Sequence, residues 1–133
     1  RWRAMTAAPQ YLLAIYIAEH RQDPPVSFGV VADVLDRSPA SVTEMCQRLD
    51  EQGLVAHEPY EGVTLTDEGR EQAEDLHETY VTLSWFFRDV LELDDYEEEA
   101  MAMAGTVSAD VTERLATALL SDDPPQSVTE ISE

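Results

Sequence analysis

Cysteine and histidine, two residue types suited to covalent and metal chemistry, are few in this 133-residue chain. Cys46 is the sole cysteine, so no intrachain disulfide can form. Its place beside an apolar helical stripe reads as a buried small hydrophobe rather than a reactive thiol. The three histidines stand far apart: His20 reads as solvated and His57 as an exposed strand residue. Glu74, His77 and Glu78 fall at spacings of three and four, so they can share one helix face, and Glu97, Glu98 and Glu99 follow. In a chain with 28 acids that grouping reads as a solvated acidic face with an incidental histidine. There is no phosphate-binding glycine loop, no nucleophile with its base, and no carboxylate pair that stands out, so an enzyme is not expected.

The side chains that remain are suited to recognition, and they gather in the stretch 38–53, SPASVTEMCQRLDEQG. Ser38 is a candidate N-cap, Pro39 suits the first helical position, and Gly53 stands where a C-terminal cap belongs. Val42, Met45, Cys46 and Leu49 fall on one face; Ala40, Thr43, Glu44 and Gln47 fall on the other. This helix has one side to bury and one to present.

Other elements must position it. Residues 10–22 carry Leu12, Ile15 and Tyr16 on one face and are stopped by Asp23-Pro24-Pro25; the lead before them, with its Arg-Trp-Arg start, is open between an arm, a helical extension and a processing remnant. Val26 suits a brief strand, and Ser27 caps a short helix through Phe28, Val31, Val34 and Leu35. Asp36-Arg37 then turns into the 38–53 helix. Helix, tight turn, helix is the helix-turn-helix order. Two short alternating segments, 54–58 and 63–65, flank Pro59-Tyr60-Glu61-Gly62 and predict a β-hairpin, a wing.

Thr66-Asp67-Glu68 caps a long helix. Ala73, Leu76, Tyr80, Leu83, Phe87 and Val90 make a heptad seam along it, widened by Trp85 and Phe86, which predicts burial against a partner subunit. A break at 92–95 precedes a helix from Tyr96 to Ala104, closed by Gly105. Ser108 caps a last helix with Val111, Leu115 and Leu119 on one side. The expected divisions are residues 1–66 for DNA binding, 67–121 for helical dimerisation, and 122–133 as a flexible acidic tail.

Twenty-eight acids stand against eight arginines, with no lysine and a net charge of −20. This composition resembles that of proteins from extreme halophiles. In molar salt the Debye length is about 3 Å, so acidic repulsion of DNA is screened and a negative net charge does not exclude nucleic acid as partner. Six of the arginines lie in residues 1–70, where the net charge is −5 against −15 in the remainder. The chain has neither a run of about 18 apolar residues nor a signal-peptide pattern, which predicts a cytoplasmic protein without a membrane partner.

The segments QYLLAIY, SPASVTEMCQRLDEQGLV, PYEGVTLTDEG and SADVTERL resemble, in the same order over residues 9–120, the diphtheria-toxin-repressor family (DtxR and MntR type) of iron- and manganese-dependent transcriptional regulators. The resemblance implies a mostly α fold, a winged helix-turn-helix followed by an α-helical dimerisation domain. It also implies a homodimeric repressor on a palindromic operator in double-stranded DNA, of the short type without an SH3-like domain. The family's metal ligands would fall on Gln10, Leu13, Tyr80, Met101, Ala104 and Gly105, of which only Gln10 and Met101 offer a weak donor. Iron(II) or manganese(II) wants several carboxylate or imidazole ligands, so the expectation is a degenerate site, no metal cofactor and binding independent of iron and manganese. Control would then fall to a ligand in the helical lobe, to salt, to a partner or to abundance. A metal-responsive repressor with an unfamiliar ligand set around His77, and a dimeric interaction module without DNA binding, are the alternatives.

On this reading Arg37, Ser38, Ser41, Arg48 and the wing with Tyr60 would meet phosphates. Pro39, Ala40, Thr43, Glu44 and Gln47 would read bases. Leu83, Trp85, Phe86, Phe87, Val90, Val111 and Leu115 would form the dimer interface. Glu61 departs from the arginine common at the family's wing tip and would repel a phosphate.

Overall fold

The computed structural model describes residues 2–120; the tail expected at 122–133 lies outside them. The elements follow as α1 (Trp2–Glu19), α2 (Phe28–Leu35), α3 (Pro39–Glu51), β1 (Val55–Glu58), β2 (Gly62–Leu65), α4 (Asp67–Asp89), α5 (Tyr96–Met103) and α6 (Ala109–Leu120). This is the mostly α winged helix-turn-helix with a helical second part that the sequence predicts. The difference lies in the first helix, where α1 begins at Trp2, runs through Pro9 and ends at Glu19, short of residue 22. The lead is therefore a helical extension, although proline removes a backbone donor there.

The chain divides into two compact units, the first ending at Glu74 and the second beginning at Asp75. In the first, α1 packs on α2, α3 and β2, while α3 also meets α2 and β1. Leu13, Ile15, Val31, Val42 and Leu49 are wholly enclosed; burying each such side chain contributes on the order of 1.5–3 kcal/mol. Local chemistry fixes the ends of the elements. Ser27 Oγ accepts the Val30 N–H at 3.2 Å to start α2, and Asp36, in the left-handed region at φ 54°, ends it by donating its N–H to the Ala32 carbonyl.

The hairpin pairs Val55 with Leu65 and Glu58 with Gly62. Val26 adds one bridge to its outer side, exchanging two backbone hydrogen bonds with Val63 at 2.8 and 2.9 Å. Gly62, at φ 135°, is required here, because a Cβ would stand 1.9 Å from the Val26 carbonyl oxygen.

In the second unit Leu83, Phe87 and Ala100 are buried, with Tyr80, Phe86, Tyr96, Val107 and Leu115 packed against them. Much of the heptad seam is thus covered by its own chain. Ser108 caps α6, its Oγ accepting the Val111 N–H at 3.2 Å. Thr79 and Thr112, both buried, bond through their hydroxyls at 3.0 Å. Among the described residues no helix is long and apolar enough to cross a membrane.

Candidate nucleic-acid interface

The exposed face of α3 is built from its first residue. Ser38 has extended backbone, φ −71° and ψ 151°, and its Oγ accepts the Ser41 N–H at 3.2 Å. The same hydroxyl donates to Ser41 Oγ at 3.0 Å. Ser38 is thereby occupied as a cap, while the Ser41 proton is left to point elsewhere. Pro39, at the first turn, gives up no helical bond. At the other end the helix closes with a Schellman motif: the Leu54 N–H reaches the Leu49 carbonyl at 2.9 Å and the Gly53 N–H the Asp50 carbonyl at 3.0 Å, with Gly53 at φ 80°.

Between these ends Val42, Met45, Cys46 and Leu49 face the core. Pro39, Ala40, Ser41, Glu44, Gln47 and Arg48 are exposed, as are Arg37 and Ser38 just before the helix, while Thr43 is half-buried. At the wing tip Tyr60 stands fully in solvent at φ 67°, with Glu61 exposed beside it. Asp50 Oδ2 accepts the His57 N–H at 3.3 Å and so ties α3 to β1. His57 itself is exposed, its ring stacked on Phe28 at 5.5 Å. Among the described residues the presented surface holds Arg37 and Arg48 beside Asp36, Glu44, Glu51 and Glu61.

Burial governs the titrating groups beneath this face. It pushes the Cys46 thiol up to about 11. The Tyr11 phenol is also raised, chiefly by burial, with the Arg37 charge opposing.

The side chains expected at a dimer interface are divided. Leu83 and Phe87 are already enclosed by their own chain; Trp85, Phe86, Val90 and Leu115 are half-buried, and Val111 is exposed. A cleft of about 360 Å³ in the second unit is lined by Tyr80, Val81, Ser84, Trp85, Arg88, Tyr96 and Glu97.

Sequence reasoning missed Glu19. Its side chain is 4% exposed and lies 3.1 Å from Arg70, and it accepts the Leu65 N–H at 2.9 Å. The signal was its place four residues after the buried Ile15, on the same helix face.

Among the described residues no three His, Cys, Asp or Glu side chains gather where they could hold a metal ion. Leu13 and Ala104 are buried, Gln10, Tyr80 and Met101 half-buried, and Gly105 exposed. These positions do not fit a manganese or iron centre, and Glu74, His77 and Glu78 do not assemble one either.

Residues 4–63 match the family described as Iron dependent repressor, N-terminal DNA binding domain. An uncharacterised HTH-type transcriptional regulator of Methanocaldococcus jannaschii is 34% identical over 107 residues, 79% of this chain and 86% of that protein. A manganese-dependent transcriptional repressor solved in complex with manganese is 31% identical, with a TM-score of 0.75, covering 84% of this chain and 52% of its own. The manganese regulator SloR is 27% identical, with a TM-score of 0.72, covering 84% and 53%. The chain spans about half the length of these two structures. They overturn the expectation of a protein without a metal cofactor, since the repressors it is similar to are manganese-regulated and one holds the metal. The expectation failed because it set the ligand types at aligned positions above kinship, which had left a metal-responsive repressor as the alternative. With a relative matched over most of both chains, the chain belongs to the iron-dependent-repressor family of helix-turn-helix transcriptional regulators.

Proposed function

We propose that the protein is a sequence-specific, repressor-like DNA-binding regulator that acts as a homodimer on a palindromic operator in double-stranded DNA. The observation that carries this is the capped α3, with an apolar side sunk in the core and Pro39, Ala40, Ser41, Glu44, Gln47 and Arg48 exposed beside a wing. In the major groove Gln47 would pair with adenine, Glu44 would accept from cytosine, and Pro39 and Ala40 would touch thymine methyls, with Thr43 at the margin. Arg37, Arg48, Ser41 and Tyr60 would meet phosphates, with Ser38 holding the helix start. Residues 1–66 would bind DNA. Residues 67–121 would pair the two copies, through Val111 and the half-buried Trp85, Phe86, Val90 and Leu115.

Kinship supports a response to a divalent metal of the manganese or iron class, because the solved relatives are manganese-regulated. The described residues gather no ligand set at the family positions, so no step here runs through the ion. The lysine-free, acidic composition supports operation in molar salt.

A titration on duplexes selected from a random pool, in molar potassium chloride, tests both parts. Enrichment of a palindromic sequence is expected; no enrichment favours a second reading, a dimeric interaction module without DNA binding, for which the exposed Glu61 at the wing tip speaks. Chelator followed by manganese or iron(II) should tighten binding tenfold or more. Unchanged affinity would sink the metal response and leave DNA binding standing.

A further inference from the structure

We propose that Glu19 is a positioning residue that sets the wing, an inference that rests on the DNA-binding reading above. β2 has two edges. The inner one pairs with β1. On the outer one Val63 is taken by the two hydrogen bonds to Val26, and the Leu65 N–H is taken by Glu19 Oε2 at 2.9 Å, across 46 residues of sequence. Leu65 is the last residue of β2 and lies opposite Val55, where the chain enters the hairpin. The carboxylate therefore holds the hairpin at its base, while Tyr60 and Glu61 stand at the far tip.

The choice of residue carries the argument further. A side chain only 4% exposed at the end of α1 could be filled by leucine for packing alone, and a buried carboxylate is costly unless it is bonded and paired. Glu19 is bonded through Oε2 to a backbone N–H, and its Oε1 is paired by charge, 3.1 Å from Arg70 Nη1 but outside hydrogen-bond geometry. Arg70 sits in the first turns of α4, directly after β2. One carboxylate thus joins the end of α1, the base of the wing and the start of α4, and a movement of α1 is passed to the hairpin through it.

Amide hydrogen exchange on the full chain tests the link without DNA. Glu19→Ala should speed exchange at Leu65 and through the hairpin tenfold or more, with the α3 amides unchanged. Glu19→Gln, which keeps an oxygen for Leu65, should stay within about twofold of the parent. Glu19→Asp keeps the charge but shortens the reach by one methylene, and it should follow Glu19→Ala; it carries the test if the alanine variant does not fold. Uniform acceleration over α1, α2 and α3, or an unchanged hairpin, overturns the proposal. Where the parent binds a selected duplex, Glu19→Ala should weaken it tenfold. The same change in a Tyr60→Ala background should cost nothing further, because the wing contact is already gone. An equal loss in both backgrounds overturns the proposal. A parent that binds no duplex removes the DNA-binding reading alone, and exchange still decides the role of Glu19.

Discussion

The hydroxyl of Thr66 donates to the carbonyl of Gly53 at 2.7 Å while accepting the Gly69 N–H at 3.1 Å. One atom thus caps the start of α4 and holds the C-terminal end of α3. Thr66→Val keeps the shape and removes both bonds. It should cost about 1–3 kcal/mol in urea unfolding, and Thr66→Ser should stay within about 0.5 kcal/mol of the parent. Equal stability of the valine variant would show that neither bond matters.

Gly62 has no room for a methyl group, with the Val26 carbonyl oxygen 1.9 Å from where a Cβ would lie. Gly62→Ala should therefore destabilise the chain by about 2 kcal/mol or more, through strain at positive φ and loss of the Val26 bridge. Gly53 also has positive φ, but nothing lies within 4 Å of its Cβ position; Gly53→Ala should cost less, about 1 kcal/mol. Thermal melts of the two variants give the order directly.

Arg37 and Arg48 among several acids on the presented face give a weak counterion-release drive. The slope of log K against log salt should be shallow, and Glu61→Arg should steepen it by about 1 and tighten binding in dilute buffer. Ser41→Ala should weaken binding without loss of fold, whereas Ser38→Ala should cost about 1 kcal/mol of stability through the lost cap. A Glu61→Arg slope equal to the parent's would place the wing tip away from phosphate.

Burial holds the Cys46 thiol up to about 11, against 9.0 for the ordinary thiol. The unfolded chain releases this proton from about pH 9 upward while the folded chain keeps it. The stabilising contribution is therefore complete below pH 9 and is lost as pH rises through 11. Cys46→Ala should remove this part of the alkaline fall in stability, at the cost of a small cavity. Alkylation at pH 8 should be slow in the folded protein and rapid in urea.

Much of the first unit was legible because its signals are local. Ser27, Ser38 and Thr66 bond N–H groups three residues on, and Gly53 closes its helix within six residues. The 3.6-residue stripe of Val42, Met45, Cys46 and Leu49 needed only the helix to exist. The heptad seam was legible as apolar but not as to what covers it. Leu83 and Phe87 could have met a second copy, and instead Ala100 and Tyr96, from later in the same chain, help enclose them.

The sequence by itself determined where α2, α3, α4 and α6 start, which face of α3 is sunk and which presented, and that a hairpin follows. These are settled by dihedral preferences and by hydrogen bonds spanning three to six residues. Only the tertiary structure decided that Val26 extends the wing, that Gly62 is pressed against it, and that Glu19 holds its base. Those contacts join residues 36 to 46 positions apart, and no local periodicity records such a distance.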